Sequence, residues 1–115
     1  LHTKHALEPI RSGSNKASTG LNGYEYHQGT WYAKSRRPDL PNNLGNADTW
    51  YINAQAQGFA VGLVPRVGAI GQQGMHVVYI EQVKGNQVYL SERNYDYNGS
   101  YRERWANALD FTYIY

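Results

Sequence analysis

Apolar and aromatic residues recur with a helical period in the middle of the chain. The positions at i, i+3, i+4 and i+7 are Ala47, Trp50, Tyr51 and Ala54. This spacing predicts an amphipathic helix with one aromatic face, which we expect to pack on a sheet. Asn46 stands where a capping residue would, and Gly58 stands just past the expected end.

A shorter helix is compatible with residues 30–37, and Pro38 would end it because its ring disfavours the helical conformation of the preceding residue. Residues 39–45 then read as a loop, being rich in Pro, Asn and Gly. Further upstream, residues 1–22 have the Ser, Gly and Asn content of a linker or loosely ordered lead-in. The folded domain is therefore predicted to span residues 23–115.

The second half of the chain is strand-like, with many β-branched and aromatic residues between turn signals. The predicted strands cover residues 65–70, 75–83, 87–95, 101–105 and 111–115. With helices in front and strands behind, the pattern predicts an α+β fold with short N-terminal helices packed on an antiparallel sheet.

Alternation with a period of two assigns faces to the two longest strands. One strand places His76, Val78 and Ile80 on one face, and the next places Val88, Leu90, Glu92 and Asn94 on one face. Both faces are apolar near the intervening turn and polar at the far end. If the strands form a hairpin, these faces should be the same buried face.

This requirement favours a turn of odd length between the two strands. A three-residue turn that closes Val83 on Gln87 sets Ile80 opposite Leu90, and it continues with Val78 opposite Glu92 and His76 opposite Asn94. A two-residue Gly85-Asn86 turn is locally attractive, but it shifts the pairing by one residue and mixes the faces. We therefore predict the three-residue turn.

A histidine, a carboxylate and an amide then converge at the open end of the hairpin. In this arrangement an acid or amide orients an imidazole and stabilises its charged form. The alternative is a histidine at the edge of the core, with Glu92 and Asn94 as polar strand ends that face water. A catalytic interpretation also needs a nucleophile, and the chain has no Cys and no Gly-x-Ser-x-Gly elbow.

Length and composition limit the classes of protein and the kinds of site that the chain can contain. A chain of 115 residues fits one domain, and its formal charge of +2 is too weak and scattered for a nucleic-acid surface. No apolar run approaches the roughly 20 residues that span a bilayer. Without Cys there is no disulfide framework and no thiolate metal site. Because the chain begins at Leu1, we expect it to be a segment of something longer, and His2 and His5 are assigned no role.

Five short strings, in order, resemble the CHAP family, the cysteine- and histidine-dependent amidohydrolase/peptidase modules of papain-like fold. Gln28-Gly29-Thr30-Trp31-Tyr32 resembles the family's Gln-Cys-Thr-Trp-Tyr string. The other four are Asn46-Ala47 with Trp50, Pro65 to Ile70, Gly74-Met75-His76-Val77 and Ser91-Glu92-Arg93-Asn94-Tyr95. The resemblance covers about residues 24–115.

The resemblance implies a role for each matching residue. It implies that His76 is the general base and acid, that Glu92 orients it, that Asn94 is a further polar member, and that Gln28 contributes to the oxyanion hole. Gly29 stands at the nucleophile position, where the family has Cys. A second departure, His27 where the family often has Gly, could alter the groove.

The resemblance also implies a substrate, bacterial peptidoglycan, cut at N-acetylmuramoyl-L-alanine or at a stem-peptide or cross-bridge amide. This places the parent enzyme outside the cell or in the cell wall, or has it delivered there by a phage or transfer machine. The chemistry needs a thiolate, so the chain with Gly29 is expected to be inactive. Engineered replacement of the nucleophile is the favoured explanation because the partner residues remain, and a natural wall-binding or assembly module is the alternative. Thr30 as a substitute nucleophile is less favoured, because it follows the site.

Aromatic residues are divided between core and groove. Trp31, Tyr32, Trp50 and Tyr51 favour core packing, with Trp31 also a candidate for the substrate groove. Tyr95, Tyr97 and Tyr101, near the strand ends, are candidates for a groove wall that contacts glycan or stem peptide. Some related modules carry an Asp-rich loop before the nucleophile, but residues 12–23 contain no Asp or Glu. We predict no metal and no cofactor.

Overall fold

The computed structural model describes residues 21–94 and 98–115. Its α-helices are α1 (Gly29–Arg36) and α2 (Trp50–Ala56), with short 3-10 helices at Ala47–Thr49 and Ala108–Asp110. Its strands are β1 (Val61–Gly62), β2 (Ile70–Gln73), β3 (His76–Lys84), β4 (Gln87–Arg93), β5 (Tyr101–Asn107) and β6 (Thr112–Ile114). The predicted lead-in up to residue 20, and Tyr95 and Tyr97, lie outside the described residues.

The six strands form one sheet in the order β1-β6-β2-β3-β4-β5. Every neighbouring pair is antiparallel. The two short helices lie before the sheet in the chain, and α1 packs on the central strands β3 and β4. The predicted α+β class, with N-terminal helices on an antiparallel sheet, is confirmed. Within the described residues, no helix is long and apolar enough to cross a membrane.

The sheet is buried on both faces. Val77 and Tyr79 of β3 join the helices in one core cluster, together with Trp50 and Ala54 of α2. The intervening residues of β3 join a second cluster, in which Val78, Ile80, Val88 and Leu90 pack with Ala69, Ala108, Phe111 and Tyr113. The predicted shared face of the hairpin is therefore real, but it lies on the side of the sheet away from the helices. The burial of the odd-numbered face was not predicted.

The predicted three-residue turn is wrong, although the predicted pairing of Ile80 with Leu90 is confirmed. Lys84 pairs with Gln87 across a two-residue turn in which Gly85 has φ 60, a conformation that favours glycine. A β-bulge between Ile80 and Gln82 then shifts the register by one, so that Ile80 lies opposite Leu90. The bulge supplies the extra residue that the sequence-based prediction places in the turn.

The extra residue of the bulge is Glu81, which contacts α1. Arg36 donates to Glu81 Oε2 at 2.5 Å, and the Ser91 hydroxyl donates to the same oxygen at 2.7 Å. The Tyr32 hydroxyl in turn donates to Ser91 Oγ at 2.8 Å. These bonds tie one face of α1 to the hairpin, and so they set the position of the helix start relative to β3.

The predicted strand at residues 65–70 is mostly a turn. Ala69 donates its N–H to the Arg66 carbonyl at 3.0 Å, and Gly68 has φ 88, as a type II turn requires at its third residue. Strand β2 starts only at Ile70. The first helix begins and ends one residue earlier than predicted, and β1 was not predicted. Asn46 precedes the second helical segment, but its side chain makes no capping bond.

Candidate active site

Three element ends meet where the sequence predicted a catalytic group. Helix α1 begins at Gly29, strand β3 begins at His76, and strand β4 ends at Arg93. A Cβ placed on Gly29 would lie 3.7 Å from His76 Nδ1 and 3.7 Å from its Cε1. It would also lie 3.1 Å from the Arg93 carbonyl oxygen, a tight contact. A side chain at position 29 would therefore be directed at the Nδ1 edge of the imidazole.

The opposite edge of the same imidazole is held by Glu92. His76 Nε2 lies 2.7 Å from Glu92 Oε1. The His76 side chain is 21% exposed, whereas Glu92 is fully buried. One nitrogen of the ring is thus fixed inside the protein while the other faces position 29.

Two arginines on the neighbouring strand hold the other side of Glu92. Arg102 Nε and Arg104 Nε both donate to Glu92 Oε2, the latter at 2.7 Å, and Arg104 also donates to Oε1 at 3.2 Å. Burial by itself would raise the pKa of Glu92. Hydrogen bonds from His76, Arg104 and Arg102, with the charge of Arg104, outweigh it and lower the pKa to about 2. Glu92 is therefore an anion at neutral pH despite its burial.

Asn94 contacts Gln28, the residue just before Gly29. Its Nδ2 donates to Gln28 Oε1 at 2.9 Å, and its Oδ1 accepts the Gly99 N–H at 2.7 Å. With Oε1 of Gln28 engaged, the nitrogen of that amide is oriented as the donor. The helix start adds backbone donors, because intrahelical bonding begins with Tyr32 N–H to the Gln28 carbonyl and leaves the N–H groups of residues 29–31 free of it.

These residues open onto a cleft of about 1050 Å³. Beyond Gln28, Gly29, His76 and Asn94, its lining comprises Gly23, Tyr24, Glu25, Thr30, Gly45, Asn46, Ala47, Gln73, Met75 and Val77. Trp31 and Tyr101, both candidates for the groove, are not in this lining. Trp31 packs against the helix-side core and the Tyr26 ring, and the Tyr101 ring lies edge-on to Tyr32.

Sequence reasoning missed several residues of the site. Arg102 and Arg104 are separated by one residue on β5, and this period-two spacing was a usable signal, because both side chains had to share a face. Tyr24, Glu25 and Gln73 gave no comparable signal, since only the fold brings their loops and strand end to the cleft. In the described residues, no group of three His, Asp or Glu side chains is arranged to hold a metal ion.

His27 adopts a backbone conformation that L-residues rarely take. Its φ is 76, in the left-handed region, and that of Asn94 is 60. The Cβ of His27 also lies 3.1 Å from where a Cβ on Gly99 would be. A glycine at position 27 would adopt this left-handed backbone conformation without strain, which is a physical reason why glycine suits that place in the motif.

Known proteins share sequence with this chain. The sequence profile of the CHAP domain matches residues 19–94. The staphylococcal secretory antigen SsaA of Staphylococcus aureus is 41% identical over 91 residues, which cover 74% of this chain and 36% of that protein. A probable autolysin, LDP, of the same species is 34% identical over 118 residues, covering 93% of this chain and 42% of the autolysin. The chain thus spans well under half the length of these relatives.

Solved structures share the fold. The crystal structure of an N-acetylmuramoyl-L-alanine amidase from Staphylococcus aureus superposes with a TM-score of 0.71 at 24% identity, covering 80% of this chain and 31% of the amidase. The crystal structure of Ly7917 gives a TM-score of 0.58 at 19% identity, covering 96% of this chain and 61% of that chain. At these identities the superpositions speak for the fold alone.

Proposed function

This chain belongs to the CHAP domain family, and on that premise we propose that it is a peptidoglycan hydrolase module in an inactive form. The parent activity is hydrolysis of an amide bond, either as N-acetylmuramoyl-L-alanine amidase or as peptidoglycan endopeptidase. The chain with Gly29 binds wall peptide in the cleft and does not cut it. The autolysin among its relatives supports this substrate class, and the secretory antigen supports a place outside the cell or in the cell wall.

The observation that carries the proposal is the geometry around position 29. A Cβ there would lie 3.7 Å from His76 Nδ1, while Nε2 of the same ring is held at 2.7 Å by a buried carboxylate. A thiol at this position would find a base beside it and free backbone N–H groups at the helix start. Both lower the pKa of a thiol, because both favour the thiolate.

Each remaining residue has a part in the proposed reaction. The thiolate of a Gly29→Cys variant attacks the carbonyl carbon, and the C–N bond breaks as His76 protonates the leaving amine. Gln28 and the backbone N–H of residue 29 hold the developing oxyanion. Water, deprotonated by His76, then releases the acyl group. Asn94 orients Gln28, and Glu92 stabilises the imidazolium.

The test is the Gly29→Cys variant assayed on purified bacterial cell walls. We expect soluble fragments to be released on the order of 10³-fold faster than with the Gly29 chain, since loss of a nucleophile costs hydrolases at least that much. Gly29→Ala serves as the matched control, because it adds the Cβ without the sulfur. Gly29→Cys combined with His76→Ala should return to the background rate. A folded Gly29→Cys variant that releases no fragments would overturn the proposal.

Product analysis separates the two amide classes. Mass spectrometry of fragments from the Gly29→Cys variant should show either peptides freed from muramic acid at L-alanine or peptides cut within the stem or cross-bridge. The first result identifies an amidase and the second an endopeptidase.

A natural, non-catalytic wall-binding or assembly module is the second candidate, for instance in a conjugation or secretion system. The Arg93 carbonyl oxygen favours it, because it lies 3.1 Å from where a Cβ on residue 29 would be, and any side chain there would force a small shift of this backbone. We propose engineered replacement as the source of Gly29, since His76, Glu92 and Asn94 are all retained. Sequencing the source gene decides this, because a cysteine codon at position 29 supports replacement and a glycine codon contradicts it.

A further inference from the structure

Strand β5 sends two arginines to one buried carboxylate. Arg102 is the cross-strand partner of Glu92, and Arg104, two residues further along β5, reaches the same group. The side chains of Arg102 and Arg104 are 41% and 27% exposed, whereas that of Glu92 is fully buried. An ordinary exposed cross-strand ion pair adds little to stability, and this one is unusual because its anion has no access to water.

We propose that Arg102 and Arg104 are positioning residues of the active site, which keep Glu92 ionised and aim its Oε1 at His76. This inference rests on the proposed function, because it assigns the arginines a task in preparing the catalytic histidine. Neither arginine lines the cleft, so neither is expected to touch the substrate.

The partition of hydrogen bonds between the two carboxylate oxygens supports the positioning role. Oε2 accepts from both arginine Nε groups, and so it is fully occupied on the β5 side. Oε1 accepts a longer bond of 3.2 Å from Arg104 and faces His76 Nε2 at 2.7 Å. Because both guanidinium groups pull on the far oxygen, the carboxylate plane is fixed with its near oxygen toward the imidazole.

The charge of the arginines supports the ionisation role. A carboxyl group removed from water is more stable when neutral, unless nearby cations compensate for the lost hydration. Among the described residues, the charged or titratable groups in contact with Glu92 are His76 on β3 and Arg102 and Arg104 on β5. Since the imidazole carries a charge for only part of its cycle, the arginines supply the permanent compensation.

The protonation state of Glu92 determines which ring nitrogen of neutral His76 carries the hydrogen. An ionised Glu92 accepts the Nε2–H, so that the lone pair of neutral His76 is on Nδ1, toward position 29. A neutral Glu92 would donate its proton to Nε2 and leave the hydrogen on Nδ1, where it blocks the base. The arginines thus act on the reacting atoms through Glu92 and His76.

The first test needs no cleavage and uses the Gly29 chain as it stands. The carboxyl carbon of Glu92 is followed by NMR from pH 1 to 8, and its signal is assigned by its loss in Glu92→Gln. Replacing Arg102 or Arg104 by Gln removes the charge, and we expect the titration midpoint of Glu92 to rise by about 1 to 3 pH units for each replacement. Arg66→Gln is the matched control, because the Arg66 guanidinium lies over the Tyr115 ring beside β6, three strands away from β4, and it should leave the midpoint unchanged.

Variants that keep the positive charges are the controls for this titration. Arg102→Lys with Arg104→Lys keeps both charges, so the Glu92 midpoint should stay near that of the parent chain. If Arg104→Gln does not fold, Arg102→Gln decides, because Arg102 is the more exposed of the two. A folded Gln variant whose Glu92 midpoint equals the parent value would overturn the proposal.

The second test measures cell-wall hydrolysis against pH in the Gly29→Cys background. Adding Arg102→Gln should move the acidic limb of the pH profile to higher pH, and Arg102→Lys should restore it. A purely structural role would lower the rate equally at every pH and would count against the proposal. If the Gly29→Cys variant itself has no activity, the proposed function fails, and the NMR titration still decides whether the arginines control Glu92.

Discussion

In the described part of the chain, two buried carboxylates are bound by arginine side chains, and their surroundings differ. Arg37 and Asp39 form a bidentate pair, with Nε to Oδ1 at 2.8 Å and the second nitrogen to Oδ2 at 2.9 Å. Both side chains are 1% exposed, and Arg37 also donates to the carbonyls of Gly68 and Ile114. In the cluster of His76, Glu92, Arg102 and Arg104, the carboxylate is buried but the histidine opens onto the cleft.

The difference separates a structural cluster from a candidate catalytic one. The Arg37 pair is satisfied on all sides and joins the end of α1 to the loop before β2 and to β6. In the His76 cluster, the two arginines bind Glu92, and Glu92 binds one edge of the His76 ring. The Nδ1 edge of that ring faces position 29. Burial of charge alone therefore does not indicate a candidate active site, whereas a buried charge that orients a partly exposed titratable group does.

The largest effect is expected from neutralising each anion in turn. Asp39→Asn should lower the free energy of unfolding by about 3 to 5 kcal/mol, because it leaves a fully buried arginine without its counter-charge. Glu92→Gln should cost less, about 1 to 3 kcal/mol, because water can reach Arg102 and Arg104. Urea unfolding of both variants measures the difference.

Activity should show the reverse order. In the Gly29→Cys background, Glu92→Gln should abolish wall hydrolysis, whereas Asp39→Asn should retain it under conditions in which the variant is folded. Equal losses of stability from the two substitutions, or loss of activity in a folded Asp39→Asn variant, would remove the distinction between the clusters.

A second effect is expected when stability is followed as the pH is lowered. The pKa of Glu92 is lowered from 4.5 to about 2 in the folded protein. Its contribution to stability is therefore complete above pH 4.5, and it is lost as the pH falls toward 2, because the unfolded chain takes up the proton first. This gap corresponds to about 3 kcal/mol. Urea unfolding between pH 5 and 2 should show it in the parent chain, and Glu92→Gln should lack this part of the pH dependence.

The smallest effect concerns the backbone at the mouth of the cleft. His27 and Asn94, both beside the candidate site, are the non-glycine residues with positive φ in the described part of the chain. His27→Gly should raise the free energy of unfolding by about 1 kcal/mol, because glycine adopts φ 76 without strain. The matched control is Gly58→Ala, at φ 93 after α2, which should lower stability by a similar amount. Thermal unfolding measures both, and a destabilised His27→Gly variant would contradict the interpretation of strain.

Local patterns were sufficient for much of the fold. Period-two alternation predicted the β3–β4 hairpin and the shared face of Ile80 and Leu90, and helical spacing predicted α2. Ordered motifs then indicated the family and the juxtaposition of position 29 with His76. These inferences succeed because side-chain period and short motifs are properties of neighbouring residues, which need no knowledge of what packs against them.

Contacts between distant segments escaped prediction for the opposite reason. Alternation alone argues against the two-residue turn, because without a bulge that turn gives the wrong register. The bulge at Glu81 corrects the register. No local pattern predicts this bulge, because Glu81 binds Arg36 on the distant helix α1. Likewise Asn94 meets Gln28 across 66 positions of sequence, and Arg102 and Arg104 meet Glu92 only after β5 has paired with β4.

Gly29 is where the two kinds of information meet. Its motif, read along the chain, predicts a nucleophile position at a residue without a side chain. The folded chain decided what surrounds that position, which is an imidazole edge, a backbone carbonyl at 3.1 Å from a would-be Cβ, and a helix start. A motif predicts which residues a reaction needs. The distances between those residues, and their protonation states, depend on strands and helices that only the packing of the whole core brings together.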